Sequence, residues 1–127
     1  MTRSHCRGFT LVEIMIVVLI IAILLAIAAP NFLNSRQQSR AQAVCSQLHM
    51  ISTAKDELTF VKTLQPGAAV NDAADLVPTY MNLWPSGPVA GTYTANPVGT
   101  PPTFNGQDES WYQQHCVGVN ADASCTL

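Results

Sequence analysis

One carboxylate, Glu13, stands four residues beyond Phe9 in an otherwise apolar run over residues 9–29, and Gly8 immediately precedes that run. An unpaired carboxylate costs roughly 2–4 kcal/mol near the centre of a bilayer and less toward its edge. A segment that keeps one needs a cationic partner at the same depth. The small Gly8 leaves the bond to Phe9 uncrowded, and a cut there would free an α-amine on Phe9. Such amines titrate near pKa ~8 and are cationic around neutrality. Amine and carboxylate, each costly alone at an apolar rim, largely cancel when paired. The amine can belong to the same helix, one turn away, or to a neighbouring molecule, where the pair fixes axial register.

The element that must position these groups is the apolar run itself. Its 21 residues, as a helix rising 1.5 Å per residue, span about 30 Å, one hydrocarbon core. Thr10 and Glu13 are its only polar side chains. Arg3 and Arg7 precede it and favour a cytoplasmic start, while Arg36 and Arg40 follow and blur that signal. Two simpler readings compete: a plain single-pass anchor, and a secretory signal released at Ala28 or Ala29, since Ala26-Ile27-Ala28 has cleavage-site character. Against the second, Glu13 interrupts the apolar region, the run is longer than usual, and Pro30 crowds the cut. Neither explains Gly8 and Glu13 together.

Behind its short basic leader, the order Gly8-Phe9-Thr10-Leu11-Val12-Glu13 resembles the type IV pilin and pseudopilin family. The resemblance is strong over residues 7–33 and implies a maturation pathway. A prepilin peptidase and methyltransferase cuts after Gly8 and N-methylates Phe9. Glu13 then neutralises the amino terminus of a neighbouring identical or related subunit as a homo-oligomeric filament grows from an inner-membrane assembly platform. The same resemblance implies a single-pass bacterial inner-membrane protein, embedded in lipid before assembly, with an extracytoplasmic C-terminal body. Its expected function is that of a structural subunit of a pilus-like filament. The alternatives are a type II secretion pseudopilin, a competence pilus subunit and, from another class, an exported soluble binding domain. Pro30 removes a backbone donor and is expected to kink or locally melt the helix, where related filaments unwind. A glycine frequent in the family is replaced by Ala22.

Beyond Pro30 the pattern turns amphipathic. Ala41, Val44, Leu48, Ile51, Ala54, Leu58 and Val61 form one helical stripe, with Arg36, Arg40, Gln47, Lys55, Asp56, Glu57 and Lys62 largely off it. The helix should stop near Leu64, before Pro66-Gly67. A short helix over residues 71–77, capped by Asn71 or Asp72, is expected next. Tyr80, Met81, Leu83 and Trp84 should anchor the core, with strands over residues 91–94, 101–104 and 115–119. The fold expected is therefore α+β: one long N-terminal helix packed by a small antiparallel sheet. Its organisation is leader 1–8, membrane and filament-core helix 9–30, amphipathic helix 31–65 and a body over 66–127, too small to build much core without the helix.

The remaining signals exclude more than they propose. Formal charge is −2, and losing Arg3 and Arg7 with the leader makes the chain more acidic, so no nucleic-acid partner is expected. Cys6 would leave with the leader, and Cys45, Cys116 and Cys125 remain. Cys116 with Cys125 closes the shorter loop, while Cys45 could instead staple the tail to the helix. His49, His115 and these cysteines lack zinc spacing. Asp108, Glu109 and Asp122 do not form the ligand-rich loop that holds calcium in major pseudopilins, so no metal or cofactor is expected. No nucleophile–base motif or phosphate loop is present, and an enzyme is not expected.

Overall fold

The structure, a computed structural model, describes residues 8–118 with Ser124, Cys125 and Leu127, and the backbone alone at Pro30 and Asn31. Leader residues 1–7, with Cys6, and Asp122 lie outside the described residues. Five elements follow in order: α1 (Leu11–Lys62), α2 (Asp72–Leu76), β1 (Tyr93–Thr94), β2 (Thr103–Phe104) and α3 (Glu109–Cys116). They belong to two compact units, Met1–Ser35 and Arg36–Leu127, with α1 running through both.

In the first unit, α1 begins where Thr10 satisfies its first turn. Thr10 Oγ1 accepts from the Glu13 N–H at 3.2 Å, making Thr10 the N-cap and Glu13 the third helical residue. Every described side chain from residue 8 to residue 33 is exposed, among them Leu19, Leu24 and Ile27. The segment is long and apolar enough to cross a membrane. Helical backbone continues unbroken through Pro30, so the local melting expected there is absent from this state. Proline deletes one helical donor, and the intact hydrogen bonds of the turns on either side carry the helix past it.

In the second unit the stripe of α1 becomes a core. Ala41, Val44, Cys45, Leu48, Ile51, Ala54 and Leu58 are buried together with Leu76, Met81, Tyr93, Phe104 and Tyr112. Val61, expected on that stripe, is 66% exposed, although Leu64 beyond it still packs against the core. The helix stops close to the expected place: Leu64 N–H bonds the Thr59 carbonyl at 3.1 Å across Thr63, whose φ is 48°. That is the 6→1 closure of a Schellman end. α2 lies within the expected span with Asn71 as N-cap, and the Asn71 N–H donates to Asp75 Oδ2 at 2.7 Å. Of the expected anchors, Met81 is buried and Tyr80 and Trp84 pack partly against the core, but Leu83 is 76% exposed and anchors nothing.

β1 and β2 pair antiparallel, Tyr93 with Phe104 and Thr94 with Thr103. Asn105 (φ 50°) and Gly106 (φ 84°) then turn the chain, and Phe104 and Gln107 exchange both backbone bonds, the geometry an Asn-Gly pair favours. Of the strand expected over 115–119, His115 and Cys116 are instead the end of a helix, Val117 is its extended C-cap, and Val119 lies outside the described residues. Asp108 Oδ1 accepts from the Trp111 N–H at 3.0 Å, and this cap starts α3, which carries His115 and Cys116. Phe104, wholly buried, stands 4.6 Å from the Tyr93 ring centre and 6.2 Å from that of Tyr112, whose hydroxyl donates to the Phe104 carbonyl at 3.0 Å.

Gly91 lies against that ring. A Cβ there would run into the Phe104 ring and sit 2.7 Å from Asn105 Nδ2. Gly91→Ala should destabilise the body by about 1–3 kcal/mol, read from urea melts in detergent. A Gly106→Ala control would report the φ requirement of the turn alone, since nothing lies within 4 Å of a Cβ there.

Candidate functional site

The amino-terminal site is built from the cap upward. Thr10 fixes the start of α1, which puts Glu13 in the first turn, where the unpaired backbone N–H groups give a partial positive charge. Thr10 was missed as a cap in the sequence, although the Thr-x-x-Glu order is its signature. Phe9, 79% exposed, precedes the cap. At Gly8 an added Cβ would meet nothing within 4 Å, so the described fold itself gives no steric reason for glycine there.

The cysteines lie elsewhere, in the second unit. Cys116 and Cys125 form the disulfide, with Cα atoms 5.2 Å apart, while Cys45 is free and buried. The Cys125 and Gly118 carbonyls accept from Gln37 Nε2 and Gln38 Nε2, each at 3.2 Å, which ties this end of the chain to α1. Burial, then the nearby Glu109 charge, pushes the Cys45 thiol up, away from the reactive thiolate. Asp108 and Glu109 are engaged locally: Asp108 caps α3, and Glu109 accepts from Gln113 at 2.9 Å and faces His49 at 3.8 Å. Among the described residues no group of three or more His, Cys, Asp or Glu side chains could hold a metal ion.

Lys55 is the residue whose place sequence reasoning misjudged most. Expected off the apolar stripe, it is 4% exposed. Its ammonium donates to the carbonyls of Ala95 (2.9 Å), Pro97 (3.4 Å) and Thr100. Burial pulls its pKa below the ordinary lysine value, with Asp56 opposing. Nearby, the Tyr93 hydroxyl donates to Gln47 Oε1, and burial, followed by the charges Tyr112 and Cys45 would carry, pushes the Tyr93 phenol up to about 12.

Residues 3–29 match the model of the prokaryotic N-terminal methylation motif. The type IV major pilin protein PilA of Myxococcus xanthus is 49% identical over 49 residues, 39% of this chain and 22% of that protein. The type II secretion system core protein G of Klebsiella michiganensis is 38% identical over 56 residues, 44% of this chain and 39% of its own. Fimbrial protein Q of Moraxella bovis is 41% identical over 70 residues, 54% of this chain and 45% of its own. Over this amino-terminal segment the chain is similar to type IV pilins and type II secretion pseudopilins. It spans less than half the length of these relatives. No solved structure matches it. These pilins and pseudopilins are structural subunits rather than enzymes, as the sequence led us to expect. The pilin-like α+β class holds as well.

The body of this chain should lose stability in alkali. Tyr93 has a raised folded value, so its contribution is complete below the unfolded pKa of ~10 and disappears as pH rises through about 12. Tyr112 shifts the same way, while the lowered Lys55 adds stability as pH climbs toward 10.5. Melts between pH 8 and 12 should therefore turn down only above about 10. In Tyr93→Phe the downturn should be shallower, at a neutral-pH cost of about 1 kcal/mol for the lost Gln47 bond.

Proposed function

We propose that this chain is a structural subunit of a type IV pilus-like filament. In this reading it is matured by a prepilin peptidase after Gly8, methylated on Phe9, and held in the bacterial inner membrane by residues 9–30 with its body outside the cytoplasm. It assembles through that helix, and the Glu13 carboxylate neutralises the amino terminus of an identical or related subunit. Residues 31–65 and 66–127 then act as the amphipathic half of the helix and the body it carries. The observation that carries the reading is the match of residues 3–29 to the N-terminal methylation motif, with Gly8, Phe9 and Glu13 at the head of a capped, fully exposed apolar helix.

The same stem suits a pseudopilin, and similarity to the type II secretion system core protein G favours that second reading. Imaging separates them, because long surface filaments exclude a purely periplasmic structure. Intact mass and N-terminal sequencing of the protein from native membranes should give a chain starting at Phe9 and heavier by one methyl group. A terminus at Pro30 or Asn31 would instead make it a secreted soluble domain.

The role of Glu13 can be separated from its place in the cap. Glutamine keeps the hydrogen-bonding capacity of the third helical residue but has no charge. Glu13→Gln should therefore be processed normally yet assemble as poorly as Glu13→Ala, measured as sheared filament yield. Normal yield from the glutamine variant would mean that the residue serves only its own helix.

A further inference from the structure

Residues 95–100 turn three carbonyl oxygens toward one point, and the loop builds this arrangement from bonds of its own. The Thr100 N–H closes on the Pro97 carbonyl at 3.0 Å. Val98 exchanges both backbone bonds with the turn before it, donating to Ala68 at 3.0 Å and accepting from Gly67 at 2.8 Å. Asn96 Nδ2 bonds the Pro101 carbonyl at 2.8 Å, and the Ala95 N–H is held by Asp72 Oδ1 at 2.6 Å. Asn96 (φ 58°) and Gly99 (φ 87°), in left-handed backbone, lie between the residues whose carbonyls turn inward. At the focus of the Ala95, Pro97 and Thr100 carbonyls stands the Lys55 ammonium, with three donors for three acceptors.

We propose that residues 95–100 form a cation-binding loop whose occupant is the chain's own Lys55 ammonium, and that removing this side chain leaves a site for a small primary ammonium ion. Converging carbonyls are the donor set that hard cations and ammonium groups share. A charge tethered through α1 fills such a site without dependence on any ion in the medium. It joins α1 to the loop between β1 and β2, and Asp72 joins the same loop to α2. One buried cation thus links three elements of the body. Burying a charge without partners is prohibitive, and the three carbonyls offset part of that cost, with burial still holding the Lys55 pKa below its ordinary value.

The experiment uses the full chain in detergent. Lys55→Ala deletes the equivalent of n-propylammonium and should lower the melting temperature by roughly 10 °C. Millimolar n-propylammonium should restore part of that loss, whereas tetramethylammonium, which has no N–H donors, and neutral 1-propanol should not. Lys55→Met fills the volume without donors, so it should stay destabilised whether or not n-propylammonium is added. Wild-type stability from Lys55→Met, or equal rescue by tetramethylammonium, overturns the proposal. If Lys55→Ala fails to fold, ammonium-proton exchange in the wild type decides instead. The Lys55 protons should exchange far more slowly than those of Lys62 in the exposed last turn, and equal rates overturn the assignment.

Discussion

A helix that is apolar on every side and covered on none has to find its cover outside its own chain. Among the described residues before Ser35, not one side chain is buried. The exposed row of Ile, Leu and Val gains roughly 25 cal/mol for each Å² removed from water. Dispersed in water that surface would be untenable, so the first unit exists only in lipid or against other helices. Burial of apolar area is non-directional, and either environment satisfies it. What apolar area cannot supply is register, because sliding one smooth apolar helix along another changes little. Register requires a directional group, and among the described residues of that row only Thr10 and Glu13 offer one.

The second unit obeys the opposite rule. From Ala41 onward one face of α1 is buried by its own chain, with Val44, Leu48, Ile51 and Leu58 each almost wholly covered. α2, the β1–β2 pair and α3 are too short to persist alone. They hold because Phe104, Tyr112 and Leu76 share that face, and because side chains of α1 reach backbone groups far along the sequence. Gln37, Gln38, Gln47 and Lys55 bind the carbonyls of Cys125, Gly118, Ser86 and Ala95. A small body that buries little apolar area gains much of its definition from such bonds, each of modest net value.

How much of this was readable in advance follows from the range over which each feature is determined. The apolar run, the stripe from Ala41 to Leu58 and the cap of α2 depend on neighbours within a few residues, and periodicity revealed them. Lys55 was misplaced because its partners lie 40 to 45 residues away. A charged residue in a stripe is conventionally assigned to water until something shows that carbonyls converge on it. Val61 was read onto the stripe from its spacing and Leu83 into the core from its type, and both are exposed, because neither spacing nor type says which positions the rest of the chain covers. The strand expected over 115–119 failed for a local reason. Val117 and Val119 suggested extended backbone, but Asp108 had already started a helix seven residues before His115, and Trp111, Tyr112 and His115 then continue one face of it. At the amino terminus the motif was legible from Gly8, Phe9 and Glu13, whereas the cap at Thr10 went unread although its spacing was visible.

That cap changes how Glu13 must be understood. As the third residue of a capped helix it already sits in the partial positive charge of the N-terminal amides, so its carboxylate has a local reason to exist in water. In lipid the same amides are weaker compensation than a full cation, since a dipole of about half a charge leaves the rest of the carboxylate's burial uncompensated. The two environments open to the first unit thus ask different things of one residue. At the membrane rim, water and amide dipoles suffice. Once helices crowd together and exclude both lipid and water, only another full charge does, and the nearest that the maturation reading supplies is the Phe9 amine. The energetic demand on Glu13 therefore rises with the degree of helix packing, and in the proposed filament a single carboxylate would be tolerated before assembly and decisive during it.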